Sequence, residues 1–118
     1  MEKRALIILS EGFEDIEAVT PIDILTRANV AVTIASLSPG PVAAAYGTIL
    51  VPHTSLDQVR DLFDAIILPG GMRNAEKLAA DHRVRELVER HYFDGQLVAA
   101  ICASCALVLG EATGLLKG

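Results

Sequence analysis

Three short stretches of the chain are apolar at every position: Ala5-Leu6-Ile7-Ile8-Leu9, Ala65-Ile66-Ile67-Leu68 and Leu97-Val98-Ala99-Ala100-Ile101. A half-exposed strand alternates apolar with polar residues, whereas an unbroken apolar run suits a strand covered on both faces, as in a parallel sheet between helical layers. The pattern therefore predicts buried strands over 4–9, 65–68 and 97–101, with a further strand over 31–37. Between them the spacing becomes helical. Residues 15–27 place Ile16, Val19, Ile22, Ile24 and Leu25 on an apolar side. Pro21 interrupts that stretch; it cannot bond back to the Glu17 carbonyl and is expected to kink or loosen the first turn. A short helical piece is predicted over 55–60 and another over 74–79. Asp81 is placed to cap a helix reaching His91, with Val84, Leu87 and Val88 on one face. Ser38-Pro39-Gly40-Pro41 reads as a turn. Residues 42–45 and 48–51 read either as a small hairpin across Tyr46-Gly47 or as one continuation strand and an edge. Strands alternating with helices predict an α/β layered sheet with right-handed crossovers.

The end of the chain breaks this regularity. The run Ala103-Ser104-Cys105-Ala106-Leu107-Val108-Leu109 suits a helix that is apolar on every side and is therefore expected to be buried on every side. Little chain follows that could cover it. Residues 1–118 are accordingly expected to be the N-terminal and central portion of one domain, covered by a C-terminal remainder, a companion chain or an oligomer.

The 118 residues are enough for one core, and 52% of them are hydrophobic. No apolar run approaches the ~20 residues that span a bilayer, so no membrane contact is expected. Met1-Glu2-Lys3-Arg4, a brief apolar run and then Glu11, Glu14 and Asp15 do not form a secretory signal. A net charge of -5 speaks against nucleic-acid binding through a basic face. The 2 cysteines, Cys102 and Cys105, are too few for a disulfide framework, which makes a reducing, cytoplasmic compartment the expectation.

Cys102 stands where the last apolar strand gives way to the apolar helix. A residue at such a junction occupies a sharp turn with its side chain exposed above the sheet, the geometry of a nucleophile elbow. The N–H groups and partial positive charge of a helix N-terminus favour thiolate chemistry there. The plainer alternative is a structural cysteine packed as a small hydrophobe. Pro69-Gly70-Gly71 closes an earlier buried strand. Its glycines allow backbone N–H groups to approach an anion closely, although the tripeptide alone reads as an ordinary turn. The two features together gain weight, because both fall at the C-terminal ends of parallel strands, where open α/β sheets hold their sites. Glu17, near the start of the first helix, could reach the same edge. Glu11, Glu14 and Asp15 compete with it, and charge complementarity with the helix N-terminus accounts for Glu14 and Asp15. Cys102 and Cys105 also form a C-x-x-C pair, which keeps a dithiol oxidoreductase open. His82 and His91 belong to a charged, solvated helix and His53 to a loop, so no histidine completes a Cys-His pair. Neither these histidines nor the cysteine pair make a zinc site.

Taken together, the residues resemble the ThiJ/PfpI superfamily. The similarity lies in Arg4-Ala5-Leu6-Ile7-Ile8-Leu9, in Glu11 to Val19 followed by Pro21-Ile22-Asp23, in Asp64 to Gly71, and in Ala99-Ala100-Ile101-Cys102-Ala103. The resemblance implies a flavodoxin-like parallel-sheet sandwich of the class I glutamine amidotransferase kind, usually a homodimer. It implies that Cys102 is the nucleophile or oxidation-sensitive cysteine and that Glu17 is the acid bonded to its sulfur. Gly70, Gly71 and Ala103 fall in the anion pocket it implies, and Asp23 matches a pocket acid. It further implies a cofactor-free glyoxalase or deglycase acting on 2-oxoaldehydes or glycated proteins, with an oxidative-stress role. Alternatives are a redox-sensing chaperone working through Cys102 oxidation, with Cys105 as candidate redox partner, and a PfpI-type peptidase. The family's site histidine belongs to a segment that continues past Gly118.

Overall fold

The computed structural model describes residues 2–117. Strands β1 (Arg4–Leu9), β2 (Ala31–Ser36), β5 (Thr54–Ser55), β6 (Ala65–Leu68) and β7 (Leu97–Ala100) form one parallel sheet in the order β5-β2-β1-β6-β7. Omitting the two-residue β5, this is the flavodoxin-like strand order, and the expected α/β parallel sheet is found. β1 lies at its centre, and Ala5 through Leu9 are all buried. Successive side chains of a strand point to opposite faces, and β1 divides accordingly. Leu6 and Ile8 join Ile66, Leu68, Leu78, Val84, Val88 and Val108 on one face. Ala5, Ile7 and Leu9 join Phe13, Ala18, Ile34, Val42 and Ile67 on the other. Each large aliphatic side chain so buried contributes roughly 1.5–3 kcal/mol.

Helix α1 (Asp15–Arg27) covers the second face and runs without interruption through Pro21. Its buried side is narrower than expected. Ala18, Ile22 and Leu25, at i, i+4 and i+7, face the sheet. Ile16, Val19 and Ile24 are turned to solvent, with Ile16 71% exposed. Of the two readings of residues 42–51, the hairpin is found: β3 (Val42–Ala43) pairs antiparallel with β4 (Ile49–Leu50), apart from the main sheet. Asp15 ties it to α1 by accepting from the Tyr46 and Thr48 N–H groups at 2.9 and 3.0 Å. Hydrogen bonds, the Thr48 side chain's foremost, hold the Asp15 carboxyl below its ordinary range.

The other face carries α2 (Met72–Ala80) and α3 (His82–Phe93), the latter capped as expected by Asp81, whose carboxylate accepts from the Arg83 N–H at 2.9 Å. The piece expected over 55–60 is a single 3₁₀ turn, Leu56–Gln58. His91 corrects the expectation of a solvated residue: it is fully buried. Its Nε2 accepts from the Phe63 N–H at 2.9 Å and its Nδ1 bonds the Leu87 carbonyl at 2.8 Å. His91 follows Val84, Leu87 and Val88 on the apolar stripe at i+7, i+4 and i+3, so its position on the helix turns it inward.

The closing helix also departs from expectation. After two α-helical residues, Ala103 and Ser104, it widens into a π-helix over Cys105–Ala112. Only Ser104 and Val108 are buried; Ala106 is exposed and Leu107 and Leu109 are half-buried. The helix has only one side against the sheet and α2, so within the described residues its remaining apolar surface is open. Among the described residues no helix is long and apolar enough to cross a membrane.

Candidate active site

Three strand exits build the site: the loop 10–14 after β1, Pro69-Gly70-Gly71 after β6, and the Cys102 elbow after β7. They lie at the C-terminal edge of the sheet, beside the crevice between β1 and β6 where strand addition changes direction. Open α/β sheets bind ligands at this place.

At the elbow Cys102 has φ of 55°, a left-handed conformation that is uncommon outside glycine, and its side chain is exposed. The Ser104 N–H bonds the Ile101 carbonyl at 3.3 Å and the Cys105 N–H bonds the Cys102 carbonyl at 3.0 Å, which closes the turn into the helix. At the exit of β6, Gly71 has φ of 92° and caps α2. A Cβ on Gly71 would stand 2.8 Å from the Glu14 nitrogen, so both its conformation and its surroundings require glycine.

Gly70 is where Glu17 and Cys102 meet. Its N–H donates to Glu17 Oε1 at 3.1 Å. A Cβ on Gly70 would fall against that same oxygen and 2.8 Å from the Cys102 Cβ. The half-buried Glu17 is delivered from the first turn of α1. The competing acids have other tasks: Glu14 caps α1 by accepting from the Ile16 and Glu17 N–H groups, Asp15 holds the hairpin, and Glu11 pairs with Arg73 at 2.6 Å.

Two expected residues, Gly70 and Asp23, stand otherwise than expected. Gly70 is expected in the anion pocket, but Glu17 already occupies its N–H. The N–H groups of Gly71 and Ala103 have no acceptor among the described residues and remain available. Asp23 is not at the site. Six residues carry it ~9 Å along α1 and off the face of Glu17, and it bonds Arg27 Nε at 2.6 Å on the exposed side. Cys105 is a free, partly buried thiol whose S–H donates to the Ala100 carbonyl at 3.2 Å.

Two buried polar residues that sequence reasoning did not single out bind these pieces together. Asn74, in the first turn of α2, bonds Ser10, Pro69 and Gly70, and Ser104 Oγ donates to the Pro69 carbonyl at 2.7 Å. For Ser104 the available signal was a polar residue inside an otherwise apolar run; Asn74, in a polar stretch, carried none. A cavity of about 410 Å³ opens beside Gly71, between Glu11, Tyr46, Met72 and Arg73; Cys102 does not line it. Among the described residues no three His, Cys, Asp or Glu side chains gather into a metal site.

The DJ-1/PfpI family model matches residues 3–118. The chain is 36% identical over 112 residues to the Parkinson disease protein 7 homolog of Danio rerio, covering 92% of this chain and 59% of that one. It is 38% identical over 112 residues to the glutathione-independent glyoxalase DJR-1.2 of Caenorhabditis elegans, covering 93% and 60%. Among solved structures, oxidized Toxoplasma gondii DJ-1 superposes with a TM-score of 0.94 at 35% identity, covering 98% of this chain and 64% of that one. The chain thus spans about three fifths of the length of these relatives.

Proposed function

This chain belongs to the DJ-1/PfpI family, and from that premise we propose that it carries the site of a cysteine-dependent, cofactor-free enzyme of the glyoxalase or deglycase type. Its substrates are 2-oxoaldehydes or their protein adducts. The observation that carries this reading is the convergence at Gly70, where a nucleophile and an acid are held on either side of a residue with no room for a side chain. A relative is named a glutathione-independent glyoxalase, which supports the reading.

In the reaction the Cys102 sulfur adds to the aldehyde carbon. The oxygen that gains charge is met by the Gly71 and Ala103 N–H groups, the unoccupied donors at the two strand exits. Glu17 takes the proton from the former aldehyde carbon and returns one to the neighbouring carbonyl carbon. With Oε1 held by Gly70, Oε2 is the oxygen that carries the proton. The first carbon is oxidised and the second reduced, leaving a 2-hydroxy thioester that water hydrolyses to a 2-hydroxy acid and free Cys102. The redox change is internal to the substrate, so no external electron carrier enters. Methylglyoxal turnover by the full-length protein, with Cys102→Ser as control, tests the reading; equal turnover by the two proteins would remove it.

The exposure of Cys102 favours a second reading, a redox-sensing chaperone in which peroxide oxidises this sulfur to sulfinic acid. Selective Cys102 oxidation at low peroxide without methylglyoxal turnover distinguishes it. The open apolar side of the π-helix accords with cover by a C-terminal remainder, a companion chain or an oligomer. The exposed Ile16, Val19, Tyr46 and Ile49 on α1 and the hairpin offer apolar surface to a second copy of the protein. A cytoplasmic location accords with two free thiols.

A further inference from the structure

We infer that Asn74 and Ser104 are positioning residues that set the Cys102 sulfur against the donors of the pocket, acting together through the Pro69 carbonyl. The inference rests on Cys102 being the reacting group.

Asn74 is fully buried and uses its whole hydrogen-bonding capacity. Its Oδ1 accepts from the Ser10 N–H at 2.8 Å and the Ser10 hydroxyl at 2.9 Å. Its Nδ2 donates to the Pro69 carbonyl at 2.9 Å and to the Gly70 carbonyl at 3.0 Å. One side chain therefore joins the exit of β1 to the exit of β6. Each of the two carbonyls has a second partner. The Gly70 carbonyl also accepts from the Glu14 N–H at 3.1 Å, which fixes the start of the helix that carries Glu17. The Pro69 carbonyl also accepts from Ser104 Oγ at 2.7 Å, and Ser104 is itself fully buried. Ser104 lies two residues after Cys102, on the far side of the strained turn. Through these bonds the acid, the donor turn and the nucleophile are referred to one node.

An elbow held at φ of 55° needs such a restraint. A left-handed conformation at a non-glycine residue persists only where its surroundings over-determine it. The Ile101 N–H bonds Leu68 at 3.0 Å and fixes the chain before the turn. The Ser104 hydroxyl fixes it after the turn. The two anchors are successive residues of the same partner segment, Leu68 and Pro69, so the sulfur between them is aimed relative to Gly70 and Gly71. Neither Asn74 nor Ser104 touches the substrate; they act on where the sulfur and the N–H groups stand.

The test uses Ser104→Ala and Ser104→Gly in the full-length protein, since both leave the Pro69 carbonyl its Asn74 donor. Two rates are read: alkylation of Cys102 by iodoacetamide, followed on its peptide, and methylglyoxal turnover. We expect both variants to fold, alkylation to change by about threefold, and kcat to fall about tenfold or more with KM within about twofold, as misplacement of a reacting atom dictates. Ser104→Thr, which restores the hydroxyl, should recover at least half of the loss in whichever rate has changed. Folded variants with wild-type rates would overturn the inference. Loss of the fold in both variants would overturn it as well, by making the hydroxyl a requirement of folding and not a setting of the site. If the wild-type protein does not turn over methylglyoxal, the proposed activity fails, while Cys102 alkylation still decides the positioning role.

Discussion

Glu17 and Cys102 converge on Gly70, one bonded to its nitrogen and the other standing against the space where its side chain would be. The two come from opposite ends of the sequence, α1 and the turn after β7. Only the parallel pairing of β1 with β6 and of β6 with β7 brings them to one edge.

That relationship makes Gly70→Ala a sensitive probe. The added methyl group cannot be accommodated without moving Glu17 or the elbow, and overpacking of this kind costs about 1–3 kcal/mol. We expect a folded protein with a lowered Tm and a loss of methylglyoxal turnover of about a hundredfold, in line with a 1 Å displacement at a reacting centre. Steady-state kinetics alongside thermal unfolding checks this; an active Gly70→Ala protein would mean that the two side chains do not work as a pair.

Glu17→Gln separates holding from proton transfer. The amide oxygen can still accept from the Gly70 N–H, so the pocket keeps its shape. Turnover should fall by about 10²–10⁴, the usual contribution of a positioned acid-base group. Alkylation of Cys102 should persist. Wild-type turnover by Glu17→Gln would remove Glu17 from the mechanism.

The two cysteines should differ in reactivity. Cys102 is exposed at a helix start, whereas the Cys105 thiol is partly buried and donates to Ala100. Brief iodoacetamide treatment followed by peptide mass spectrometry should label Cys102 at least about tenfold faster. Preferential labelling of Cys105 would contradict the elbow, and rapid formation of a Cys102–Cys105 disulfide would favour the dithiol alternative.

His91 should make stability depend on pH. Burial is the main cause holding its pKa below the ordinary 6.5, and the Phe63 N–H requires Nε2 to be unprotonated. The unfolded chain therefore binds a proton at a higher pH than the folded one. Stability is full above about 6.5 and falls as the pH drops from there toward the folded pKa, by at most about 1.4 kcal/mol per pH unit for one proton. Urea midpoints between pH 7.5 and 5 should show this fall, and His91→Leu should flatten it while lowering stability at pH 7.5, because the buried Phe63 N–H loses its acceptor. An unchanged slope in His91→Leu would assign the pH dependence elsewhere.

Local patterning made the layered α/β sheet, the bounds of α1 and the Asp81 cap legible in the amino-acid sequence, because unbroken apolar runs and helical spacing report burial directly. The Cys102 elbow and the Pro69-Gly70-Gly71 turn were legible as junctions for the same reason. Their partnership with Glu17 came from family resemblance, since residues alone left four acids in competition. What the chain's own pattern could not reveal lies in contacts distant in sequence. Asn74 and Ser104 are ordinary polar residues until Ser10 and Pro69 are brought beside them. His91 looks solvated until the apolar stripe of α3 turns it toward Phe63. Gly70 is a spacer whose N–H is not free for the pocket only because α1 delivers a carboxylate that accepts from it. The sequence by itself determined which segments are buried and where the chain turns. The tertiary structure decided which polar groups are already satisfied, and so which N–H groups remain free for chemistry, because hydrogen-bond satisfaction depends on the partner that packing supplies.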